Sequence, residues 1–342
     1  MSPNFHLFFA YALTFWLQHS EASPGTSADI TTVGFALTID HATATVRHNS
    51  TFFEDLAKVE ACEEYIKLMK LFSLESSQHP SPPYASLGDL WNDIPRQRER
   101  AARKEKGLPA SSEVAVIATL LKAIADVAQA SVGAPIAALV SFPALPGLYQ
   151  EDIVDAAYYI GLPKLARGHA DHPHEMVAAY AGYGYGLCQS YNRVNRCLPD
   201  RGHDFPSRAV LLIEYTETAL LLHLNTLGKA VELSWPNMYL DLHFDLGSST
   251  TPDEQDVRNS VLRFLYHHYN ERLKEGPPNM TVILVGDPTS ASDGKVQRAT
   301  TIVLEALGAH ADVLAENPAY MAARGAAEMA WRTFDVEERM EL

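Results

Sequence analysis

The stretch "AVLLIEYTETALLLHL" (Ala209–Leu224) decides the fold class. Two apolar runs, Ala209–Tyr215 and Ala219–Leu224, flank a short polar turn, and short apolar runs of this kind are typical of buried strands. A third strand is predicted at Ala230–Trp235. A helix follows, then a buried strand at Val282–Val285 and two more helices. The second half of the chain therefore predicts a mixed α/β unit.

The first half of the chain runs in the same order. Its stretch "ADITTVGFALTIDHATATVRH" predicts two strands, with Asp40-His41 at the turn between them. A helix is predicted over Thr51–Leu74, and a long apolar helix begins at Glu113. A buried strand is predicted within Pro135–Pro143, and further helices follow it. The repeated order predicts an α/β protein of two similar lobes, with a cleft between them where ligands are expected.

Length and charge restrict the function classes. The chain has 342 residues, which suggests two domains or lobes. Its 42 acidic and 27 basic residues give a net charge of −15. We expect no nucleic-acid partner, because nucleic-acid binding requires a basic face. The one basic run, Arg96–Lys106, contains glutamates and is interpreted as a solvated helix face.

The N-terminus carries an apolar block at Phe5–Leu17. Its 13 residues are fewer than the roughly 20 that a membrane span needs, so no span is expected in the mature chain. Residues 1–22 fit a secretory signal peptide cleaved after Ala22, although neither lysine nor arginine precedes the block. A mispredicted start or a buried N-terminal element is the alternative. The expected location is the secretory pathway or outside the cell, with the cytoplasm as the alternative.

Further patterns bear on the compartment. Asn49 and Asn279 begin N-glycosylation acceptor triplets, which also arise by chance. Cys188 and Cys197 could form a short disulfide loop, leaving Cys62 unpaired; three ordinary thiols are the alternative.

Four stretches carry a resemblance to a known family. They are "APIAALVSFPALPGLYQEDIVDAAYYIGL" (Ala134–Leu162), "HEMVAAYAGYGYGL" (His174–Leu187), "VILVGDPTSASDGKVQ" (Val282–Gln297) and "ENPAYMAARGAAEMAWR" (Glu316–Arg332). In this order they resemble the ATPase domain of the seventy-kilodalton heat-shock chaperones, a branch of the actin-like superfamily. The four correspond to the first interlobe segment, the Glu-Pro-Thr-Ala-Ala-Ala segment, the adenosine turn and the closing Ala-Arg-Gly-Ala-Ala helix.

The resemblance implies a two-lobed actin-like ATPase fold of the ribonuclease-H-like type. Each lobe would be a mixed sheet with flanking helices, and the second lobe would have a reduced outer subdomain. Lobe I would cover residues 29–205, together with a C-terminal helix at 318–334 packed at the interlobe base. Lobe II would cover 206–317, and residues 335–342 would form a tail.

The phosphate-binding motifs depart from the family pattern. In the family, two glycine-threonine hairpins bind phosphates through backbone N–H groups. In the first hairpin Ala36 stands at the family's aspartate and Thr38 at a glycine. In the second, Glu214 stands at the aspartate, and the glycines are replaced. Their replacements are Thr216, Glu217 and Thr218. The carboxylate of Glu217 adds a negative charge there, which disfavours a bound phosphate unless a metal ion lies between them.

The resemblance nevertheless names candidate site residues. The adenosine turn keeps Gly286 but has Asp287 in place of the second glycine. The candidate cofactor-binding residues are Gly34, Thr38, Thr216, Thr218, Gly286, Asp287 and Gly325. If the site is active, Glu214 and Glu175 are the candidate catalytic residues. No cofactor is certain; ATP or ADP with magnesium is expected if the nucleotide site works.

The degenerate motifs favour a non-hydrolysing binding or interaction module with weak or no ATP binding and an unknown protein partner. The alternative is an active ATPase or phosphotransferase of the same superfamily, and a sugar-kinase-like enzyme is less favoured. Two other groups of polar side chains could ligate a metal. They are His169, His172 and His174, and Asp241, His243 and Asp245. The alternative for each is an ordinary exposed surface, which is favoured for the histidines.

Overall fold

Two mixed β-sheets and eight helices make up the part of the chain that the computed structural model describes. This part comprises residues 31–49, 51–133, 136–162, 172–191, 197–199, 205–231, 239–273, 280–287, 294–309 and 311–340. The predicted α/β class with mixed sheets and flanking helices is thereby confirmed.

The first sheet has the strand order β3-β2-β1-β4. Its strands are β1 (Thr31–Leu37), β2 (His41–Arg47), β3 (Phe53–Glu60) and β4 (Ile136–Ser141). β1 and β2 form an antiparallel hairpin, β3 extends it antiparallel, and β4 lies parallel on the other side of β1. β1 is therefore buried between two neighbours, in agreement with its apolar sequence.

The second sheet repeats this arrangement in the order β7-β6-β5-β8-β9. Its strands are β5 (Arg208–Tyr215), β6 (Leu220–Leu227), β7 (Tyr239–His243), β8 (Met280–Gly286) and β9 (Ala311–Leu314). β5 and β6 form the antiparallel hairpin, and β8 lies parallel to β5. β7 and β9 extend the sheet at its two edges. The repeated order predicted from the sequence is thus present in the two sheets.

The helices pack against the faces of both sheets. They are α1 (Glu63–Phe72), α2 (Leu87–Glu105), α3 (Ser112–Val132), α4 (Gln150–Tyr159), α5 (Glu175–Gly182), α6 (Glu254–Leu273), α7 (Lys295–Ala306) and α8 (Met321–Met340). Both ends of α3 are explained by its capping residues. The Ser111 hydroxyl accepts the Val114 N–H at its start, and Gly133 adopts a left-handed conformation at its end.

The buried apolar side chains form two clusters, one on each face of the second sheet. Because strand side chains alternate between faces, Val210 and Leu212 lie in one cluster and Leu211 and Ile213 in the other. The first cluster also contains the first sheet, α5 and α8. The second lies between the second sheet and helices α6 and α7. The inner face of the second sheet therefore shares its core with the first sheet.

Small residues let α8 approach its neighbours closely. A Cβ on Gly325 would lie 1.7 Å from the Ala178 carbonyl oxygen of α5. A Cβ on Gly34 of β1 would lie 1.9 Å from the Ala323 carbonyl oxygen of α8. Neither position can carry a side chain, so both glycines are required by helix and strand packing.

Two predicted boundaries need correction. The helix predicted over Thr51–Leu74 is β3 followed by the shorter helix α1, because pairing with the buried strand β2 outweighs the helical spacing of Leu56 and Val59. α8 runs to Met340, so residues 335–340 are helical and do not form the expected tail.

The interpretation of the basic run as a solvated face is wrong at Arg100. This residue is 4% exposed, and its guanidinium contacts the Asp152 and Asp155 carboxylates of α4 at 2.8 Å each. Arg98 and Glu99 of the same helix are exposed. One charged face of α2 is therefore exposed to solvent, and the face that carries Arg100 is bound to α4 by ion pairs.

Among the described residues, one helix is long and apolar enough to cross a membrane by length and composition, namely α3. Its most apolar window is 44% buried inside the protein. Core helices pass the same test, so this is weak evidence for a span.

Some predictions fall outside the described residues. These are the leader at residues 1–22, the acceptor Asn279, His169, and most of the strand predicted at Ala230–Trp235.

Candidate functional site

The turns of the two central hairpins have the same hydrogen-bond pattern. In the first, the Thr38 N–H donates to the His41 carbonyl at 2.9 Å, and the Thr38 Oγ1 accepts the His41 N–H at 3.1 Å. In the second, Thr216 and Ala219 make the same two contacts at 3.0 and 3.1 Å. Threonine hydroxyls therefore fix both turns.

Carboxylates of the chain bind the backbone N–H groups of the opposite turn. The Glu214 Oε1, near the end of β5, accepts the Ile39 N–H of the first turn at 2.8 Å. The Asp40 Oδ2 of the first turn accepts the Thr218 N–H of the second at 2.9 Å. Such N–H groups at a turn form an anion site. Here the anions are side chains of the protein itself.

Asp40 is held in its ionised form. Burial disfavours the charge, but hydrogen bonds from His41, Thr216 and Thr218 outweigh it and keep the pKa of Asp40 below its ordinary value. The His41 Nδ1 lies 2.8 Å from the Asp40 Oδ1. The first turn therefore carries a fixed negative charge that faces the second turn.

Glu175 and Glu214 form a buried pair of carboxyl groups. Glu214 is 0% exposed and Glu175, in the first turn of α5, is 2% exposed. Burial raises the pKa of Glu214 to about 7. Burial, together with the charge of Glu214, raises the pKa of Glu175 well above its ordinary value. Within the described residues, both oxygens of Glu175 and the Glu214 Oε2 have no hydrogen-bond partner. Such a pair can share protons at neutral pH.

Gly286 at the end of β8 and Asp287 directly after it contact the protein's own backbone and side chains. Gly286 has a φ of 117°, and a Cβ there would lie 2.1 Å from the Tyr215 carbonyl oxygen. The Asp287 N–H donates to the same carbonyl at 3.2 Å. The Asp287 carboxylate is buried and forms an ion pair with Lys58 of β3. The retained glycine is therefore explained by the close approach of β5.

The sequence-predicted site residues separate into three groups, one of which is Gly286 and Asp287 against the Tyr215 backbone. The structure brings together Thr38, Glu175, Glu214, Thr216 and Thr218, at the turns and the buried carboxyl pair. Gly34 and Gly325 instead lie in the packing contacts of α8.

Sequence reasoning missed four residues of the site. These are Asp40, His41, Lys58 and Tyr65, whose buried hydroxyl donates to the Thr38 carbonyl at 3.0 Å. The sequence signal for this group is Asp40-His41, which the strand pattern marks only as a turn. An aspartate followed by a histidine between two apolar strands is also a pattern that could place polar side chains in a site.

The histidines beside this region are neutral at physiological pH. Burial lowers the pKa of His172 and of His174 to about 4, and that of His223 on β6 to about 3. The His172 Nδ1 accepts the Val140 N–H at 3.0 Å. His172 and His174 therefore do not lie in the exposed polar loop that the sequence pattern predicts. His243 contacts Asp241 at 3.0 Å, and Asp245 is exposed.

The residues that bear on the compartment lie apart from this site. Cys188 and Cys197 are joined by a disulfide, and Cys62 is a free, exposed thiol. Asn49 is exposed, and its Oδ1 accepts the N–H groups of Thr51 and Phe52.

No known protein-family profile matches the chain, and no curated protein matches it significantly.

Proposed function

We propose that this chain is a degenerate actin-like ATPase domain of the heat-shock-chaperone type, working as a non-hydrolysing interaction module. The strand order β3-β2-β1-β4 and its repetition as β7-β6-β5-β8 support the two-lobed fold, with lobe I at 29–205 and lobe II at 206–317. The matched hydrogen bonds of the two turns support a common origin of the halves.

One observation carries the proposal. Each turn that binds phosphate in the family has a backbone N–H bonded here to a carboxylate of the opposite hairpin, Glu214 of β5 for Ile39 and Asp40 for Thr218. A nucleotide phosphate would have to displace these carboxylates and then lie beside them. Like charges at contact distance in a buried site repel by several kcal/mol. The N–H groups that bind phosphate in the family are therefore occupied here by the protein's own carboxylates, which favours a protein partner over a nucleotide.

The disulfide between Cys188 and Cys197 supports a location in the secretory pathway or outside the cell, because disulfides persist in oxidising compartments. The exposed acceptor Asn49 fits the same proposal.

Thermal unfolding with and without nucleotide tests the proposal. We expect no change in Tm with ATP or ADP, each with and without magnesium. A nucleotide present at 100 times its Kd would add about 2.7 kcal/mol to the stability of the folded state. A clear rise in Tm with either nucleotide would contradict the proposal.

The alternative is an active ATPase or phosphotransferase. The buried carboxyl pair with raised pKa values favours it, because such groups are frequent in active sites. Phosphate release from ATP that is lost in Glu214→Ala and kept in Glu217→Ala would establish this alternative. Glu217 is the matched control, since it lies exposed on the same turn.

A further inference from the structure

A cavity of about 410 Å³ lies between the end of α1, the middle of α2 and the start of α3. Its apolar lining includes Leu71, Phe72, Ala110 and Gly147, and its charged lining consists of three arginines and three carboxylates. Small-molecule sites have volumes of about 300 to 1,000 Å³, so the cavity is large enough for one. It shares no residue with the two hairpin turns or the buried carboxyl pair, so a site here goes beyond the proposed function.

Two of the three arginines that line the cavity are bound to carboxylates of the protein. Arg100 contacts Asp152 and Asp155 at 2.8 Å each. Arg96 contacts Asp93 at 2.6 Å. The charges of these two guanidinium groups are therefore compensated within the protein, and so is the charge of Asp152.

The third arginine, Arg103, differs from the other two. Its Nε donates to the Pro109 carbonyl at 2.8 Å, but across the residues that the structure describes no carboxylate forms an ion pair with it. The remaining N–H groups of a guanidinium form a planar fork that matches a carboxylate. Arg103 is partly buried, so an anion bound to it is partly shielded from water and is held more strongly than at an open surface.

The other carboxylates of the lining limit the charge of a ligand. Burial disfavours the charge of Glu113, but hydrogen bonds from its own N–H, Ser111 and Ser112 outweigh it and keep the pKa of Glu113 below its ordinary value. Glu99, which also lines the cavity, is exposed. Two negative charges beside the cavity repel a phosphate dianion more strongly than a carboxylate monoanion.

We propose that this cavity binds a small organic monocarboxylate with an apolar body, such as an aryl-substituted or branched-chain acid. The Arg103 guanidinium binds the carboxylate, and Leu71, Phe72 and Ala110 contact the apolar body. Arg103 thereby selects the charged ligand, and the apolar lining contributes affinity through the area that it removes from water.

Titration of the purified full chain with phenylacetate, followed by saturation-transfer NMR, tests the site. We expect the wild type to bind phenylacetate, and to bind the uncharged phenylacetamide and the dianion phenyl phosphate about tenfold more weakly or less. Arg103→Gln should weaken phenylacetate binding by about tenfold or more, because a hydrogen bond to a charged group is worth at least that factor. Glu99→Gln should strengthen it severalfold, because it removes a repelling charge. Glu99 is exposed and Arg103 partly so, and both variants are expected to fold.

Arg98→Gln and Glu105→Gln are the matched controls. Both residues are exposed on α2, and neither belongs to the lining of the cavity. They change the net charge exactly as the two test variants do, so both should bind phenylacetate like the wild type. Phenylacetate binding that is equal in Arg103→Gln and in the wild type, or equal binding of phenylacetamide, would overturn the proposal. The absence of any phenylacetate binding would overturn it as well.

Discussion

Glu214 couples the stability of the protein to pH. Its ordinary pKa is 4.5, and burial raises the value in the folded protein to about 7. Between these two values the folded state keeps the proton that the unfolded state releases, so the free energy of unfolding falls as the pH rises from 4.5 to about 7. Below 4.5 this contribution is fully present, and above about 7 it is lost.

We predict that Glu214→Gln removes this dependence, because glutamine keeps the acceptor for the Ile39 N–H without a titrating group. The difference in unfolding free energy between the wild type and the variant should fall by up to about 3 kcal/mol across this window. Urea unfolding at a series of pH values measures it. The buried histidines, which act in the opposite direction below pH 6.5, cancel in the difference. Glu175 does not cancel, because burial and the charge of Glu214 together raise its pKa and the variant lacks that charge.

Glu217→Gln is the control for this measurement. Glu217 lies exposed in the turn that follows β5, three residues after Glu214, so its removal should leave the pH profile of the wild type unchanged. A difference between wild type and Glu214→Gln that stays level with pH would show that Glu214 titrates normally in the folded protein.

At the scale of elements, the contact between α5 and α8 depends on the absence of side chains. A Cβ on Gly325 would meet the backbone of α5, at 1.7 Å from the Ala178 oxygen and 2.7 Å from the Gly182 nitrogen. Backbone cannot rotate away, so the helices would have to separate. We predict that Gly325→Ala lowers the free energy of unfolding by about 3 kcal/mol, measured by chemical denaturation.

Gly88→Ala is the matched control for the helix contact. Gly88 is also helical, but the nearest atom to its Cβ would be the Ser86 Oγ at 3.5 Å, an ordinary contact distance. This variant should be as stable as the wild type or about 1 kcal/mol more stable, because alanine favours helices. Equal effects of the two substitutions would show that α5 and α8 do not pack as described.

The elements also show what the sequence could predict. The predicted bounds of β5 are within one residue of the observed ones, because strands buried on both faces have continuous apolar sequences. The start of β6 is also within one residue, but the strand continues three residues beyond the predicted end at Leu224. β3 was missed, because its sequence "FEDLAKVE" is half polar and its pairing with β2 is a tertiary contact. Glu175 and Glu214 are candidates only through the family resemblance, and the structure places them as a buried pair. The contact from Asp40 to Thr218 joins residues 178 positions apart, which no local pattern encodes.

At the scale of the whole molecule, the division of the core predicts how the protein opens. The first apolar cluster includes β1 and the inner face of the second sheet, so opening the first sheet exposes side chains such as Val210 and Leu212 to water. The second cluster involves α6 and α7 and lies on the outer face. The two central strands should therefore open together, whereas α7 can open without them.

Hydrogen exchange followed by mass spectrometry measures this prediction. Amides of β1 and β5 should exchange with one common free energy, that of global unfolding, and those of α7 with a lower one. Gly325→Ala should lower the protection of β1 and β5 equally, because α8 contacts the core that both strands share. Loss of protection in β1 while β5 stays protected would mean that the two sheets are independent folding units, each with a core of its own.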